Sequence, residues 1–333
     1  MATFHVVHIS DLHIAAQPHR AMAPTYVKQC VARKSVSGAQ NVLRPSSYLP
    51  QTYCPDVARK AAKLIFEQRH GKNLILMSGD IATTGLPHDL AVAHRYVAAP
   101  AAAHRGFRSD AGEATFNIPG LPVFLLPGNH DRFQNNLGLA GGRTFDFTFR
   151  DYWGRKRRFV RVARMRDRAS GDLLVLVAAD FCLFSDRDAM APNFVYRLGQ
   201  GRVRDEPLEE LVGVTEEVLA GDETAALVWV LHFPPAAGAS GVKDKYKLLE
   251  YQRVLDAADD LGVKLILAGH IHHPTQFREG ATIVQCAGSA LSFFDIDGNW
   301  IHFLEIHAAG RAATLQRRID YRWNEDQSDF IVV

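Results

Sequence analysis

Phe4-His5-Val6-Val7-His8-Ile9-Ser10-Asp11-Leu12-His13 begins as a short apolar, β-branched run and breaks off at a serine, an acid and a histidine. Such side chains favour extended backbone, so residues 4–9 are expected to form a strand that stops at Asp11. The same punctuation recurs down the chain. Residues 73–77 stop at Ser78-Gly79-Asp80, and residues 121–126 stop at Pro127-Gly128-Asn129-His130-Asp131. Residues 226–231 stop at His232, and residues 263–268 stop at Gly269-His270-Ile271-His272. Helical patterns at 55–69, 87–104, 206–219 and 246–261 fall between these runs. Strands alternating with helices predict an α/β fold. In such sheets sites form just beyond the carboxyl ends of the strands, so five strand ends can share one crevice.

Between 145 and 184 the texture changes to strands, with 158–166 and 173–179 joined by the hairpin-like Ala169-Ser170-Gly171. The last sixty or so residues hold further short candidates at 282–286, 290–296, 300–307 and 312–319. Adding antiparallel strands to the alternation predicts a four-layer αββα sandwich, two mixed β-sheets flanked by helices, as a single domain over 1–333. Residues 15–54 have prolines, scattered basic residues and little periodicity; they are expected to be an insertion across the surface, with one short helix near 25–33. Residues 98–112 are small and loop-like.

With 47% hydrophobic and 22% charged residues the composition is that of an ordinary globular protein, not collagen, a disordered chain or a coiled coil. A formal charge of +2 does not demand a polyanionic partner, so nucleic acid is not favoured. Cys30, Cys54, Cys182 and Cys286 form no C-x-x-C pair, which argues against a structural zinc site and gives no disulfide framework. The start of the chain lacks a signal-peptide pattern, and no apolar run reaches the ~18 residues of a transmembrane span. These features predict a cytoplasmic protein.

Asp11 and His13 are two apart, as are His270 and His272, and in an extended segment such residues project to the same side. Glycines at 79, 128 and 269 precede candidate ligands, where the absence of a side chain allows close backbone approach. Carboxylate, amide oxygen and imidazole without thiolate suit Mn²⁺, Fe²⁺/Fe³⁺ or Zn²⁺.

Taken together, Asp11-Leu12-His13, Gly79-Asp80, Gly128-Asn129-His130-Asp131, His232 and Gly269-His270-Ile271-His272 resemble the full signature of the calcineurin-like metallophosphoesterase superfamily, over residues 11–272. The resemblance implies a hydrolase with a binuclear centre of divalent or mixed-valence metal ions. One ion would take Asp11, His13 and His272, the other Asn129, His232 and His270, with Asp80 shared. A water or hydroxide between the ions would be the nucleophile. His130 would protonate the leaving oxygen and Asp131 would orient it.

Ser10-Asp11-Leu12-His13, Ser78-Gly79-Asp80-Ile81, His232-Phe233-Pro234-Pro235 and Gly269-His270-Ile271-His272-His273-Pro274 look like the bacterial class III cyclic nucleotide phosphodiesterase branch. That implies a small-molecule phosphodiester substrate. The chain departs from the branch at Thr84, where an acid is usual, and in the length of 15–54. Thr83 stands where a purple acid phosphatase has an iron-binding tyrosine, which disfavours that branch. The alternatives are a repair-type nuclease or phosphomonoesterase on the same fold, or an inactive scaffold; the last usually loses ligands, and here all are present. A basic stretch, Arg155 to Arg168, reads as a charged strand edge rather than a polyanion track. His5 and His8 read as half-buried structural histidines, and His273 as a loop residue. Lys243, Lys245 and Tyr246 are candidates to reach substrate phosphate.

Overall fold

A computed structural model of the chain describes residues 1–16, 53–98, 115–132, 143–153, 158–182, 201–236, 248–292 and 298–333. Most of the 15–54 insertion, the helix near 25–33, most of 98–112, Arg155 to Arg157, and Lys243, Lys245 and Tyr246 lie outside them. Twelve strands among the described residues form two six-stranded sheets. The first runs in the order β12 (Asp329–Val332), β11 (Ala312–Asn324), β10 (Trp300–Ala309), β1 (Ala2–Ile9), β2 (Leu74–Met77), β3 (Val123–Leu125). The second runs β4 (Val160–Arg166), β5 (Leu173–Ala179), β6 (Ala226–Leu231), β7 (Leu265–Ala268), β9 (Thr282–Cys286), β8 (Thr275–Glu279).

Both sheets are mixed, as expected. β1, β2 and β3 are parallel, while β10, β11 and β12 continue that sheet antiparallel from β1. β5, β6, β7 and β9 are parallel, and each edge, β4 and β8, is antiparallel to its neighbour. The two-residue period of a strand divides the second sheet between two cores. Leu174, Leu176, Val228, Val230 and Leu267 face the first sheet, in one cluster with Val6, Ile75 and Leu304. Val175, Val177, Leu227, Trp229 and Ile266 face outward onto the helices Asp205–Gly221 and Gln252–Asp260. Trp229 also donates its indole N–H to Thr215 of the first of these, at 3.1 Å. The helices Pro55–Glu67 and Pro87–Ala98 bury Val57, Ala61, Ile65, Leu90 and Val97 against the other sheet and complete four layers.

Several boundaries differ from the sequence reading, each for a local reason. The helix expected over 246–261 starts only at Gln252: Leu248 and Leu249 donate their amides to Pro234 and Gly201, and Glu250 turns through a positive φ of 60°. The strand expected at 290–296 is reduced, in its described part, to one isolated bridge, Tyr53 with Ser292; 293–296 lie outside the described residues. β8 and β12 were not anticipated. β8 (Thr-Gln-Phe-Arg-Glu) is half-exposed on an edge and short of apolar residues. The described part of the basic stretch lies on edge strand β4 and directly before and after it, where Arg158 meets Glu206 and Arg166 meets Asp222. No helix among the described residues is long and apolar enough to cross a membrane.

Candidate metal centre

Asp11, Asp80 and Asn129 follow the parallel strands β1, β2 and β3 of one sheet; His232 and His270 follow β6 and β7 of the other. Within each sheet the loops are laced together by the main chain. The amides of Asp11 and His13 donate to the carbonyls of Gly79 and Asp80 at 3.0 Å, and that of Gly269 donates to His232 at 3.0 Å. Two carboxylates then lock the amides of other candidates: Asp11 accepts from His270 N–H at 2.9 Å and Asp80 from His130 N–H at 2.7 Å.

The result is two convergent sets of donor atoms. In the first, His272 Nε2 is 3.1 Å from Asp11 Oδ1 and 3.2 Å from His13 Nε2. In the second, His232 Nε2 is 3.3 Å from Asp80 Oδ2 and 3.2 Å from Asn129 Oδ1, and Asp80, His232 and His270 form one compact group. Ligands bonded at ~2.0–2.2 Å to one ion and ~90–110° apart are separated by about 3.0–3.5 Å, so these spacings fit a cation better than a set of hydrogen bonds. His232 supports this further. Its Nδ1–H donates to the Ser78 carbonyl at 2.7 Å, which fixes the tautomer and turns the Nε2 lone pair into the site.

Backbone conformation marks the same residues. Seven described non-glycine residues have positive φ, and five of them are Asp11 (53°), His13 (50°), Asp80 (51°), His270 (70°) and His272 (60°). This left-handed region costs energy without glycine, and such strain gathers at functional sites. It also corrects the local geometry expected from sequence. The two D-x-H-like pairs meet through left-handed turns, not as alternate residues of an extended segment. A side chain on Gly128 would run into the Asp80 carboxylate and amide, and one on Gly269 into the Ser10 hydroxyl, so the chain approaches the centre as closely as backbone allows.

The electrostatics suit ligation. Burial, followed by the neighbouring His130, holds the His13 imidazole neutral, and burial followed by His232 drives His270 down to about 3. Burial works against ionising Asp11 and Asp80, but His272 beside the one and His232 beside the other hold both carboxyls below their usual range. Burial likewise opposes a charge on His232, yet Asp80 lifts it to about 9. A proton there occupies the position a cation would take, so metal loading should release it.

His130 reaches the rim of the centre within ligand distance of His13 and Asp80. Its Nδ1–H donates to the Thr83 carbonyl at 2.8 Å. Asp131, expected to orient His130, serves the loops instead: its carboxylate accepts amides from Ile81 at 3.1 Å, Ala82 at 2.8 Å and Gly128 at 2.9 Å. Burial and the nearby Asp80 push Asp131 up to about 7 against the pull of those three donors. His8 is fully buried, held low at about 3 by burial, with Nε2 2.8 Å from Ser78 Oγ. His5 is half-buried and His273 exposed. Phe233, from the Phe-Pro-Pro loop, packs edge-on against the rings of His232 and His270.

The sequence reading missed a supporting ion pair. Arg132, next to Asp131 and 1% exposed, donates Nε and Nη2 to Asp180 at 3.1 and 2.6 Å and also meets Asp146 at 2.8 Å. Asp180 follows β5 just as the candidate ligands follow their strands, a sixth strand-terminal polar residue that was visible in the sequence. It ties the Asn129–Arg132 turn to the opposite sheet. Asp180→Ala should remove both hydrogen bonds that this carboxylate accepts from the buried guanidinium, costing about 3 kcal/mol of stability. Urea unfolding checks this; a loss under about 1 kcal/mol would show that the Arg132–Asp180 pair contributes little to holding the turn.

The profile of the family described as calcineurin-like phosphoesterase matches residues 4–274. No curated protein sequence matches the chain. Among solved structures, GAP50, the anchor in the inner membrane complex of Plasmodium, is 11% identical with a TM-score of 0.48, covering 99% of this chain and 87% of its own. A purple acid phosphatase from yellow lupin (Lupinus luteus) seeds is 11% identical with a TM-score of 0.49, covering 99% and 53%. A putative 5'-nucleotidase from Staphylococcus aureus is 12% identical with a TM-score of 0.48, covering 95% and 53%. The chain spans about half the length of the last two.

Proposed function

The chain belongs to the calcineurin-like phosphoesterase family, and from that premise we propose that it is a two-metal phosphodiesterase acting on a small molecule such as a cyclic nucleotide. The observation that carries the reading is the convergence of Asp11, His13, Asp80, Asn129, His232, His270 and His272 in two donor sets at ligand spacing. Asp11, His13 and His272 would hold one ion, Asn129, His232 and His270 the other, with Asp80 common to both. Oxygen and imidazole donors without thiolate favour manganese or iron and accommodate zinc. When bound, such a pair of cations makes water acidic enough to attack at neutral pH and neutralises charge on phosphoryl oxygens.

The chain's own residues do the rest. Buried Asp11 and Asp80 supply fixed negative charge, and neutral imidazoles supply lone pairs without adding repulsion between the ions. Asp131 holds the loops of Asp80 and Asn129 in register through the three amides it binds. His130, its ring oriented by the Nδ1–H bond to Thr83, would deliver a proton from Nε2 to the leaving oxygen.

A substrate panel in Mn²⁺ tests the specificity. Bis-p-nitrophenyl phosphate, p-nitrophenyl phosphate, cyclic nucleotides, phospholipid diesters and single- and double-stranded DNA are compared by kcat/KM. Small diesters should lead. Monoesters cleaved far faster than every diester would overturn the phosphodiesterase reading, and DNA in first place would make the protein a nuclease.

A further inference from the structure

The loop after β9 carries a serine that no ligand motif includes. Ser289 is wholly buried, and its two donors end on two ligand residues from opposite ends of the sequence. Its hydroxyl donates to the Asp11 carbonyl at 2.8 Å, and its amide donates to the His272 carbonyl at 3.2 Å. The same hydroxyl accepts the Ser292 amide at 3.2 Å, which sets its direction. Next to it, the Ala290 amide donates to the Ser10 carbonyl at 2.8 Å.

Asp11 and His272 both sit in the left-handed region, at φ 53° and 60°, where a non-glycine residue stays only if its surroundings hold it. Ser289 binds the carbonyl of each. The loop is itself anchored from below. The Gly288 amide donates to His302 Nε2 at 3.0 Å, His302 Nδ1–H donates to Asp320 at 2.8 Å, and Arg318 completes the row at 2.9 Å from Asp320. The Trp300 amide donates to the Ser289 carbonyl at 2.8 Å. The other half-site has different supports: Ser78 for His232, and Asp131 for the turn that carries Asn129.

We propose that Ser289 is a positioning residue for one half of the metal centre, holding Asp11 and His272 in their ligating conformation, with His302 and Asp320 setting its loop. The proposal rests on the two-metal reading above. It makes an asymmetric prediction, because the hydroxyl bonds directly to the Asp11 carbonyl and the Ser292 amide, and it reaches the other half-site only through the Asp11 carboxylate that accepts the His270 amide.

The test titrates the full-length chain with Mn²⁺ by calorimetry and follows the ions by electron paramagnetic resonance. Wild type should bind two equivalents with an exchange-coupled spectrum. Ser289→Ala should keep one equivalent at its original affinity, weaken the other by about 10–100-fold, and show the spectrum of an isolated ion. Ser289→Thr, which retains the hydroxyl, should restore the second ion. Ser292→Ala, a buried hydroxyl nearby that binds neither ligand residue, should leave both in place. Two tight, coupled ions in Ser289→Ala overturn the positioning role while leaving the centre intact, and so do equal losses in Ser289→Ala and Ser292→Ala. Fewer than two tight equivalents in wild type overturn the two-metal reading and this proposal with it. Should Ser289→Ala fail to fold by circular dichroism, His302→Phe, which removes the acceptor of the Gly288 amide, takes its place: selective weakening of one ion supports the proposal, and two unchanged ions overturn it.

Discussion

Asp80→Asn should reduce phosphoester hydrolysis by about 10³-fold or more and lower the bound metal from two equivalents to at most one. The substitution is chosen so that the loss reports charge and not folding. Asparagine is among the few residues that tolerate the left-handed backbone Asp80 adopts at φ 51°, and it keeps an oxygen able to accept the His130 amide. What it removes is the negative charge 3.3 Å from His232 Nε2. A shared carboxylate lets two cations approach each other, and several kcal/mol of charge stabilisation in the transition state depend on both being present. About 4 kcal/mol corresponds to roughly 10³ in rate. His232 supplies a second readout. Its elevated proton affinity, near 9, comes from Asp80 against the opposition of burial, so in the variant it should titrate lower, as followed by NMR of the metal-free protein. A variant that keeps two ions and loses less than tenfold in rate would remove Asp80 from the bridging role.

The centre was legible in the sequence because its parts lie at the ends of strands that announce themselves. Ile9, Met77, Leu231 and Ala268 each close a buried apolar run, and the candidate ligand comes one to three positions later. Strand order brings those ends together, so residues as remote as Asp11 and His272 meet by topology. What was not legible depends on conformation within the loops. A D-x-H spacing is the same string whether the backbone is extended or left-handed, and only the structure distinguishes the two. Asp131 is the plainest case. Adjacency to His130 made it a natural orienting partner, but in a helical turn neighbouring residues face apart, and its carboxylate points back to the amides of Ile81, Ala82 and Gly128. Ser289 belongs to the same class: its bonds end on the carbonyls of Asp11 and His272, and contacts with the main chain leave no pattern in a sequence.

The parts of the fold that escaped the sequence reading share a physical cause as well. β8 has polar side chains on an exposed edge and is held by main-chain pairing with β9, with Gly280 turning the hairpin at φ 58°. Hydrophobic alternation detects strands with one face in a core, and β8 has little of one. The converse error, a helix begun too early near 246, arose where a residue pattern suited to a helix was claimed by pairing with the segments around Gly201 and Pro234. Neither bears on the centre, because the central strands of both sheets are the apolar ones.

His130→Ala should show a loss that depends on the leaving group. With a diester that expels an alkoxide, such as a ribose oxygen, the rate should fall by about 10²–10⁴-fold; with bis-p-nitrophenyl phosphate, whose leaving phenolate needs little help from a proton, by less than about tenfold. The variant isolates the ring, since the amide that binds Asp80 belongs to the main chain and survives. It also separates two roles that the geometry brings near each other. His130 lies within ligand distance of His13 and Asp80, with the His13 and His130 rings 4.7 Å apart, so a ligand role predicts loss of metal and of both activities together. A proton donor predicts full metal content, a steep dependence on leaving-group acidity, and partial rescue of the alkoxide substrate by added imidazole. Equal losses on both substrates with metal retained would leave His130 a role in binding the phosphoryl group instead. The Thr83 carbonyl serves either role, because a ring anchored through Nδ1–H turns Nε2 toward the centre in one orientation, so metal content and leaving-group dependence together decide between them.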